Sequence, residues 1–183
     1  MKARILLLFA ALAVPASAAH WNVDAAKSKL GFTVPWGNAP YAVAFKNWNA
    51  DIDFDPADLT HSHVVATIAT GSLTSGDDDT DKNVRADKGF RAATFPEAKF
   101  ESRSFTHQAG DHYVATGTLS IRGATRPVTL PFTLTISGGT AHMVGSAQVK
   151  WAEFGMGQGM GSEMPPIAPV VTITIDLTAT QKN

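Results

Sequence analysis

Alternating apolar and polar positions run through most of the chain and predict β-strands. The pattern is longest between residues 113 and 136, where Ala115, Gly117 and Leu119 alternate with polar residues before a short turn and the alternation resumes after it. A period of two gives each strand one buried face and one solvated face. The turn, residues 122–127, carries a Gly and a Pro, which suit a tight backbone reversal. The segment is predicted to be an antiparallel hairpin whose apolar face needs further strands to cover it.

The same alternation recurs along the chain and predicts about eight strands in an all-β fold. They are expected at residues 30–36, 48–55, 61–70, 98–105, 113–121, 128–136, 141–151 and 170–180. Acidic residues at 77–79 suit the positive end of a helix dipole, so one short helical excursion is predicted near residues 77–90. An eight-stranded antiparallel β-barrel fits this pattern because closure leaves no exposed strand edge. A two-sheet sandwich is the alternative.

The inward positions of these strands combine small and large side chains. Small residues beside large rings leave two interpretations open, an apolar slot for a ligand or a core in which the rings fill the space. If the barrel holds a ligand, the candidate lining and mouth residues are Phe32, Trp36, Trp48, Phe54, Phe100, Ala115, Gly117, Leu119, Phe132, Gly145, Ala147, Trp151 and Met156.

The chain opens with the features of a secretory signal peptide. Two basic side chains precede an apolar run, a proline interrupts the run, and Ala16-Ser17-Ala18 fits the small-x-small cleavage rule. The run is too short for a membrane span. We therefore predict a signal peptide at residues 1–18, one barrel domain at residues 19–183, and export to the periplasm. Secretion beyond the periplasm is the alternative.

The composition narrows the classes of function. The chain contains no Cys, which excludes thiol chemistry and Cys-type zinc sites. It carries 15 basic and 16 acidic side chains, and two of the basic ones lie in the predicted leader, so no basic surface is expected to hold nucleic acid. No nucleophile elbow, His-Glu-x-x-His motif or phosphate-binding loop occurs. We predict that the protein is not an enzyme and has no catalytic residues.

Two groups of side chains have spacings that would suit a metal. His61 and His63 lie two apart on a predicted strand, without a third ligand of matching spacing. Met156, Met160 and Met164 recur every four residues, and thioethers suit Cu(I). The intervening glycines make an ordered site entropically costly, and Met side chains also suit a lipid opening. We therefore expect no metal or other cofactor. The methionine loop is interpreted as an apolar gate, and the less favoured alternative is a Cu(I) site that would have to order the glycine-rich loop.

Two pairs of charged residues could mark the mouth of a cavity. Arg122 and Arg126 flank the central turn, where they either receive a polar head group or bond loop carbonyls. Asp81 and Arg85 lie four apart on the predicted helix. They form either an ordinary ion pair or part of a helical lid over the barrel.

Four segments of the chain, taken together, resemble a known family. They are Trp21-Asn-Val-Asp24 with Ser28-Lys-Leu-Gly-Phe32; Ile52-Asp-Phe-Asp55; the stretch from Ser72 through Asp81 and Arg85 to Phe90, Phe95-Pro96 and Phe100-Glu-Ser102; and Gly117-Thr-Leu-Ser-Ile-Arg-Gly-Ala-Thr-Arg-Pro-Val128. The last is close to Gly-x-Leu-Thr-Ile-Arg-Gly-Val-Thr-Lys-Pro-Val of the YceI-like family. The resemblance extends from Trp21 to about Thr180. It implies a lipocalin-like barrel, exported from the cytoplasm, that binds a polyisoprenoid lipid.

The chain departs from the family pattern at two places that bear on the head group. The family often has Arg-Asp-x-His-Leu where this chain has Thr80-Asp-Lys-Asn-Val84, and Asn-Arg-x-(Asp/Glu)-Phe-Gly where this chain has Lys150-Trp-Ala-Glu-Phe-Gly155. Arginines at these places would donate to a pyrophosphate. Their loss favours a neutral head group, such as a quinone or an amide.

Two functions follow as hypotheses. The favoured one is a carrier or sequestering protein for a long-chain isoprenoid, a prenyl quinone or a related lipid, with the tail inside the barrel and the mouth near the helix and the methionine loop. The alternative is a solid-core periplasmic protein that associates with a membrane-embedded redox or envelope-stress partner through the acidic strand face at Asp51, Asp53 and Asp55. The sequence leaves the choice between monomer and homodimer open.

Overall fold

A computed structural model of the chain describes residues 18–36, 39–157 and 169–182. Residues 1–17 of the predicted signal peptide, and Met160 and Met164 of the methionine loop, lie outside the described residues. The described elements are β1 (His20–Val23), β2 (Lys29–Trp36), β3 (Ala39–Phe45), β4 (Trp48–Asp53), β5 (His63–Ala69), β6 (Leu73–Thr74), α1 (Asp78–Arg85), β7 (Glu97–Ala109), β8 (His112–Ile121), β9 (Ala124–Ser137), β10 (Thr140–Lys150) and β11 (Val170–Gln181). No described helix is long and apolar enough to cross a membrane.

The strands close into an antiparallel barrel of eight, as the alternation predicts. The circuit runs β1-β4-β5-β7-β8-β9-β10-β11 and returns to β1 through the pairing of Trp21 with Gln181. The prediction of a lipocalin-like barrel with one helix is confirmed, and the sandwich alternative is wrong because the first and last strands of the circuit pair with each other. Closure through the chain ends satisfies the backbone groups that a sandwich would leave at its edges.

Three strands, β2, β3 and β6, form a branch beside the closed circuit. β11 is long enough to pair with β1 at its carboxyl end and with β2 over residues 172–176. β3 pairs with β2, and β6 pairs with the end of β3. Sequence analysis missed β1, β3 and β6, so its eight strands include β2, which lies outside the circuit, and lack β1, which closes it. β1 and β6 are only four and two residues long. β3, Ala39–Phe45, contains the run Tyr-Ala-Val-Ala, which is almost continuously apolar and lacks a clear alternation.

The helix begins where the acidic cluster predicts. Asp77 is the N-cap, and its side chain accepts a hydrogen bond from the Thr80 amide at 2.7 Å. This bond satisfies one of the free amides of the first helical turn. The chain then turns back so that Phe90 is buried against Phe32 and Phe45, at ring-centroid distances of 6.0 and 5.7 Å. The helical excursion is thereby anchored to the β2–β3 branch.

Two prolines interrupt the pairing between β9 and β10. β10 pairs with β9 from Thr140 to Gly145, and among the described residues β9 has no β10 partner before Phe132. The amide of Leu134 is directed to the β8 side, where it donates to Asp111 O. Successive residues of a strand direct their amides to opposite edges, so Pro127 and Pro131 face β10 and cannot donate to it. The two strands therefore separate beyond Gly145.

Candidate ligand-binding cavities

The barrel encloses two cavities, one above the other along its axis. The first cavity has a volume of about 130 Å³ and the second about 120 Å³. Every residue that lines them is Gly or apolar. The first cavity lies at the end of the barrel covered by Phe90, Phe154 and Met156, and the second lies toward Trp21 and Ala179. The interior is thus not filled by its large rings, and it can accept apolar groups without a hydrogen-bond partner.

Ten of the predicted site residues line these cavities. The first cavity is bordered by Phe32, Phe100, Leu119, Ala147, Trp151 and Met156, and the second by Trp48, Phe54, Phe100, Ala115 and Phe132. Trp36 lies at the end of β2, and its side chain is outside the part of the chain that the structure describes. The small and large residues of the sequence pattern are therefore brought to one interior, although they come from distant segments.

The two remaining candidates, Gly117 and Gly145, border neither cavity. At Gly117 the ring of Phe100 takes the space, because an added Cβ would lie 2.8 Å from Phe100 Cε2 and 2.4 Å from the Glu101 carbonyl oxygen. At Gly145 an added Cβ would lie 3.0 Å from Phe132 Cβ and 3.2 Å from Leu130 Cδ1. Both glycines lack a side chain because neighbouring side chains pack on their backbone, which is the close-packing interpretation of small beside large.

Sequence analysis did not include several residues of the cavity walls among its candidates. β11 supplies a wall to both cavities through Val171, Ile173, Ile175, Leu177 and Ala179. The regular alternation of this strand in the sequence was the signal that could have placed them. Phe90 and Phe154 carried no such signal, because they follow irregular segments and reach the first cavity through the tertiary fold.

A β-bulge keeps β7 in register with the interior. Phe100 and Phe105 both border a cavity, although their odd spacing would put them on opposite faces of a regular strand. The pairing of β7 with β8 shifts between Ser102 and Ser104, and this bulge returns Phe105 to the inner face. Ser102 is buried at the bulge, and its hydroxyl accepts a hydrogen bond from the Val64 amide at 2.8 Å.

The short turn after β10 covers the open side of the first cavity. Residues Trp151–Phe154 form a 3-10 turn, and Phe154 and Met156 are almost fully buried. Arg122, at the end of β8, donates to the carbonyl of Gly155, and Gly157 donates its amide to Lys88 O at 2.8 Å. The predicted strand to residue 151 ends at Lys150 instead. We call residues 151–157 the cover segment.

Positive charge collects beside the cover segment. Burial and the neighbouring guanidinium of Arg91 lower the pKa of Arg122, while Asp87 opposes the shift. Arg91 lies 3.4 Å from Asp87 and stacks over the Phe95 ring at 5.6 Å. Arg126 remains exposed and donates to its neighbour Thr125 O. Arg122 thus donates to a loop carbonyl, which is one of the two interpretations that the sequence offered for it. The position of Arg91 beside Arg122 was not predicted.

Asp81 is a buried carboxylate that ties the helix to the strands. Its Oδ1 accepts hydrogen bonds from the Ser75 amide and the Ser75 hydroxyl, both at 2.7 Å, and Arg85 lies 3.5 Å from its Oδ2. Burial by itself would raise the pKa of Asp81, but the hydrogen bonds from Ser75 and Thr74 and the charge of Arg85 together outweigh it, so the pKa lies below its ordinary value. Arg85 also donates to the Leu73 carbonyl. The pair is therefore part of a hydrogen-bonded anchor for α1 rather than an isolated surface ion pair.

The histidines and the acidic strand face form separate pairs. His61 lies 2.7 Å from Asp58, whereas His63 lies 3.8 Å from Glu101. His20 lies 3.0 Å from Asp53 and 3.6 Å from Asp51, so two of the three carboxylates of the acidic face have the same histidine as partner. Within residues 18–36, 39–157 and 169–182, no group of three or more His, Asp or Glu is placed to hold a metal ion.

A closed barrel with an entirely apolar interior defines a class of protein that binds apolar molecules. Residues 21–179 match the model of the YceI-like domain. The chain belongs to the YceI-like family.

Relatives of known sequence and structure support the assignment. A UPF0312 protein of Shewanella denitrificans is 31% identical over 139 residues, which cover 76% of this chain and 65% of that relative. The crystal structure of Burkholderia cenocepacia BcnA is 33% identical, with a TM-score of 0.82 over 87% of this chain and all of BcnA. A polyisoprenoid-binding domain from Saccharophagus degradans, implicated in plant cell wall breakdown, has a TM-score of 0.72 at 16% identity, over 90% of this chain and 99% of that domain. The last similarity concerns the fold alone.

Proposed function

We propose that this protein binds a long-chain isoprenoid, or a similar amphiphilic lipid, with the tail inside the barrel. The observation that carries the proposal is the pair of cavities whose walls contain only Gly and apolar residues. Burial of an apolar chain there contributes roughly 25 cal/mol per Å² of surface removed from water. The membership in the YceI-like family and the polyisoprenoid-binding domain of similar fold support the same class of ligand.

The role is binding rather than catalysis. The cavity walls offer no acid, base or nucleophile to a molecule inside the barrel. General acid–base or nucleophilic catalysis needs a titratable group within hydrogen-bond reach of the reacting atom. The two cavities also disfavour the alternative hypothesis of a solid-core protein, because that hypothesis assumes that side chains fill the interior of the barrel. A redox or envelope partner at the acidic face stays a prediction.

The first cavity supplies the mouth in this proposal. Its cover segment joins the barrel through the Arg122 and Lys88 contacts, and the predicted gate residue Met156 lies within it. A head group would emerge beside Arg91 and Arg122. The family arginines are missing, so we propose a neutral head group, a quinone or an amide. The two arginines beside the cover segment make a prenyl phosphate the comparison to test.

Export to the periplasm completes the proposal. The basic start, the apolar run and the Ala16-Ser17-Ala18 site support a cleaved signal peptide. Expression of the full chain in a bacterial host, followed by osmotic release of the periplasm, should yield a protein whose intact mass equals that of residues 19–183. An intact mass that includes residues 1–18 would contradict cleavage.

Native mass spectrometry of the released protein tests the ligand. We expect a discrete added mass, and solvent extraction should recover a lipid with an isoprenoid fragment ladder. Delipidated protein should then bind a prenyl quinone, and a prenyl alcohol and a prenyl phosphate of equal chain length will show the charge preference of the mouth. A protein that carries no lipid and takes up none of the three probes would refute the proposed function.

A further inference from the structure

The two cavities meet at one layer of side chains. Leu30, Ala66, Phe100, Leu130 and Ile175 border both cavities. On β11 the first cavity extends from Val171 to this layer and the second continues from it to Ala179. A straight tail longer than either cavity therefore has to pass between these five side chains.

Phe100 is the aromatic member of this layer, and its ring rests on a glycine. Cε2 and Cζ of Phe100 lie 2.8 and 3.0 Å from the place that a Cβ of Gly117 would take. Gly117 belongs to the adjacent strand and faces the interior. No side chain at 117 therefore separates the ring from the barrel wall, and the ring covers the wall between the two cavities.

The rings around the second cavity are held by contacts with one another. Around the second cavity, Phe105 meets Phe54 at 5.2 Å in an edge-on contact, and Tyr113 meets Phe132 at 5.6 Å. Such aromatic pairs stabilise the packing beyond the burial of their surface. These contacts fix the far wall of the second cavity. On the side that faces Gly117, the Phe100 ring meets the backbone of the adjacent strand instead of another side chain.

We propose that Phe100 divides the interior and thereby sets the length of lipid tail that the barrel prefers. A tail that ends within one cavity leaves the ring on Gly117. A longer tail has to enter the shared layer and displace the ring. The proposal rests on the proposed function, because it assigns a selectivity to the same interior.

Binding of two prenyl alcohols of different length tests this division. Farnesol is the short probe and solanesol the long one, each titrated into delipidated protein and measured by native mass spectrometry. Phe100→Leu removes the ring from the shared layer. Phe105→Leu is the matched control, because it removes the same ring from the same strand but within the second cavity only. Circular dichroism melting confirms that each variant is folded.

Relative to the wild-type protein, Phe100→Leu should shift the ratio of the two affinities toward solanesol by about tenfold, or about 1.4 kcal/mol. Phe105→Leu should leave the ratio within about threefold of wild type, which is about 0.65 kcal/mol. If Phe100→Leu does not fold, Phe100→Met serves instead, since its unbranched side chain adapts to irregular space.

Two results would overturn the division, and they differ. If wild type binds both alcohols and the Phe100 variant moves the ratio no further than Phe105→Leu does, Phe100 is not the divider, while lipid binding by the barrel stands. If neither alcohol nor a prenyl quinone binds the wild-type protein, the proposed function fails and the division fails with it.

Discussion

At the scale of single residues, the cavity and its support depend on a few tightly fitted positions. Gly117 and Asp81 illustrate two kinds of fit. Gly117 is fixed by the space around it, since the Phe100 ring and the Glu101 carbonyl occupy the position of a side chain. Asp81 is fixed by its partners, since the Ser75 amide and hydroxyl both donate to one carboxylate oxygen.

Gly117→Ala should destabilise the protein by about 1–3 kcal/mol, as overpacking of a well-packed site typically does. The physical reason is the Glu101 carbonyl oxygen, which lies 2.4 Å from the added Cβ and belongs to the backbone of β7. Urea denaturation measures the change. Gly71→Ala is the control, because an added Cβ there has nothing within 4 Å, and it should stay within about 0.5 kcal/mol of wild type. Equal effects at the two glycines would contradict the close contact.

Asp81→Asn should lower the free energy of unfolding at neutral pH by about 1–2 kcal/mol, because hydrogen bonds to a charged acceptor are stronger than those to a neutral one. The folded pKa of Asp81 lies below its ordinary value of 3.8. The stabilisation is therefore fully present above the unfolded pKa and is lost as pH falls through the folded pKa.

The difference between wild type and Asp81→Asn should accordingly shrink in acid. Urea denaturation at neutral pH and at a pH below the folded pKa measures it. Asp79→Asn removes one charge from the same helix at an exposed position and is the control. A difference between wild type and Asp81→Asn that is independent of pH would show that the carboxylate charge does not carry the effect.

At the scale of the elements, the covered end of the barrel depends on contacts between irregular segments. Where β9 and β10 separate, Pro127 and Pro131 leave no amide to donate, and the cover segment lies beside the first cavity. Its bonds to Arg122 and Lys88 replace strand pairing that this end of the barrel lacks.

Arg122→Ala should loosen the cover segment and lower stability by about 1–2 kcal/mol, because it leaves the Gly155 carbonyl without this donor. Bound lipid should also dissociate several-fold faster, since the cover of the first cavity opens more often. Thermal melting and the rate of lipid transfer to vesicles measure the two effects. Arg126→Ala is the control, because Arg126 is exposed and donates to the carbonyl of its own neighbour Thr125 instead of to the cover segment. A faster release from both variants alike would contradict a role for the Arg122 contact.

At the scale of the whole molecule, stability and ligand binding are linked through the same interior. Two cavities in one barrel leave wall residues without packing partners, and such space costs contact energy. A tail that fills the space restores those contacts in the folded state alone.

Removal of bound lipid should therefore lower the melting temperature, and reloading should restore it. At a free ligand concentration of 100 times Kd, bound lipid should raise the free energy of unfolding by about 2.7 kcal/mol. Differential scanning calorimetry of purified, delipidated and reloaded protein measures it. Octyl detergent without an isoprenoid chain serves as the control for non-specific effects. A melting temperature that is indifferent to delipidation and reloading would contradict binding inside the barrel.

Much of the architecture could be predicted because each strand of a closed antiparallel sheet has one buried face and one solvated face. The sequence of such a strand alternates between apolar and polar residues. β8 and β11 follow this pattern throughout, and the barrel and its inward residues were predicted from it. The short helix was predicted from the acidic cluster at residues 77–79. β3 escaped prediction because its apolar run lacks the alternation. Phe105 needed the bulge on β7 to reach the interior, and a bulge changes the phase of the pattern without a mark in the residue types.

The sequence by itself determined that this chain forms a barrel with an apolar interior, since burial of alternate side chains follows from local residue order. Only the tertiary structure decided whether that interior was filled or hollow. The sizes of Phe100 and Gly117 are visible in the sequence, but their contact depends on how two strands lie beside each other. The hollow is the space left after all the rings have packed, and it is a property of the assembled barrel rather than of any segment.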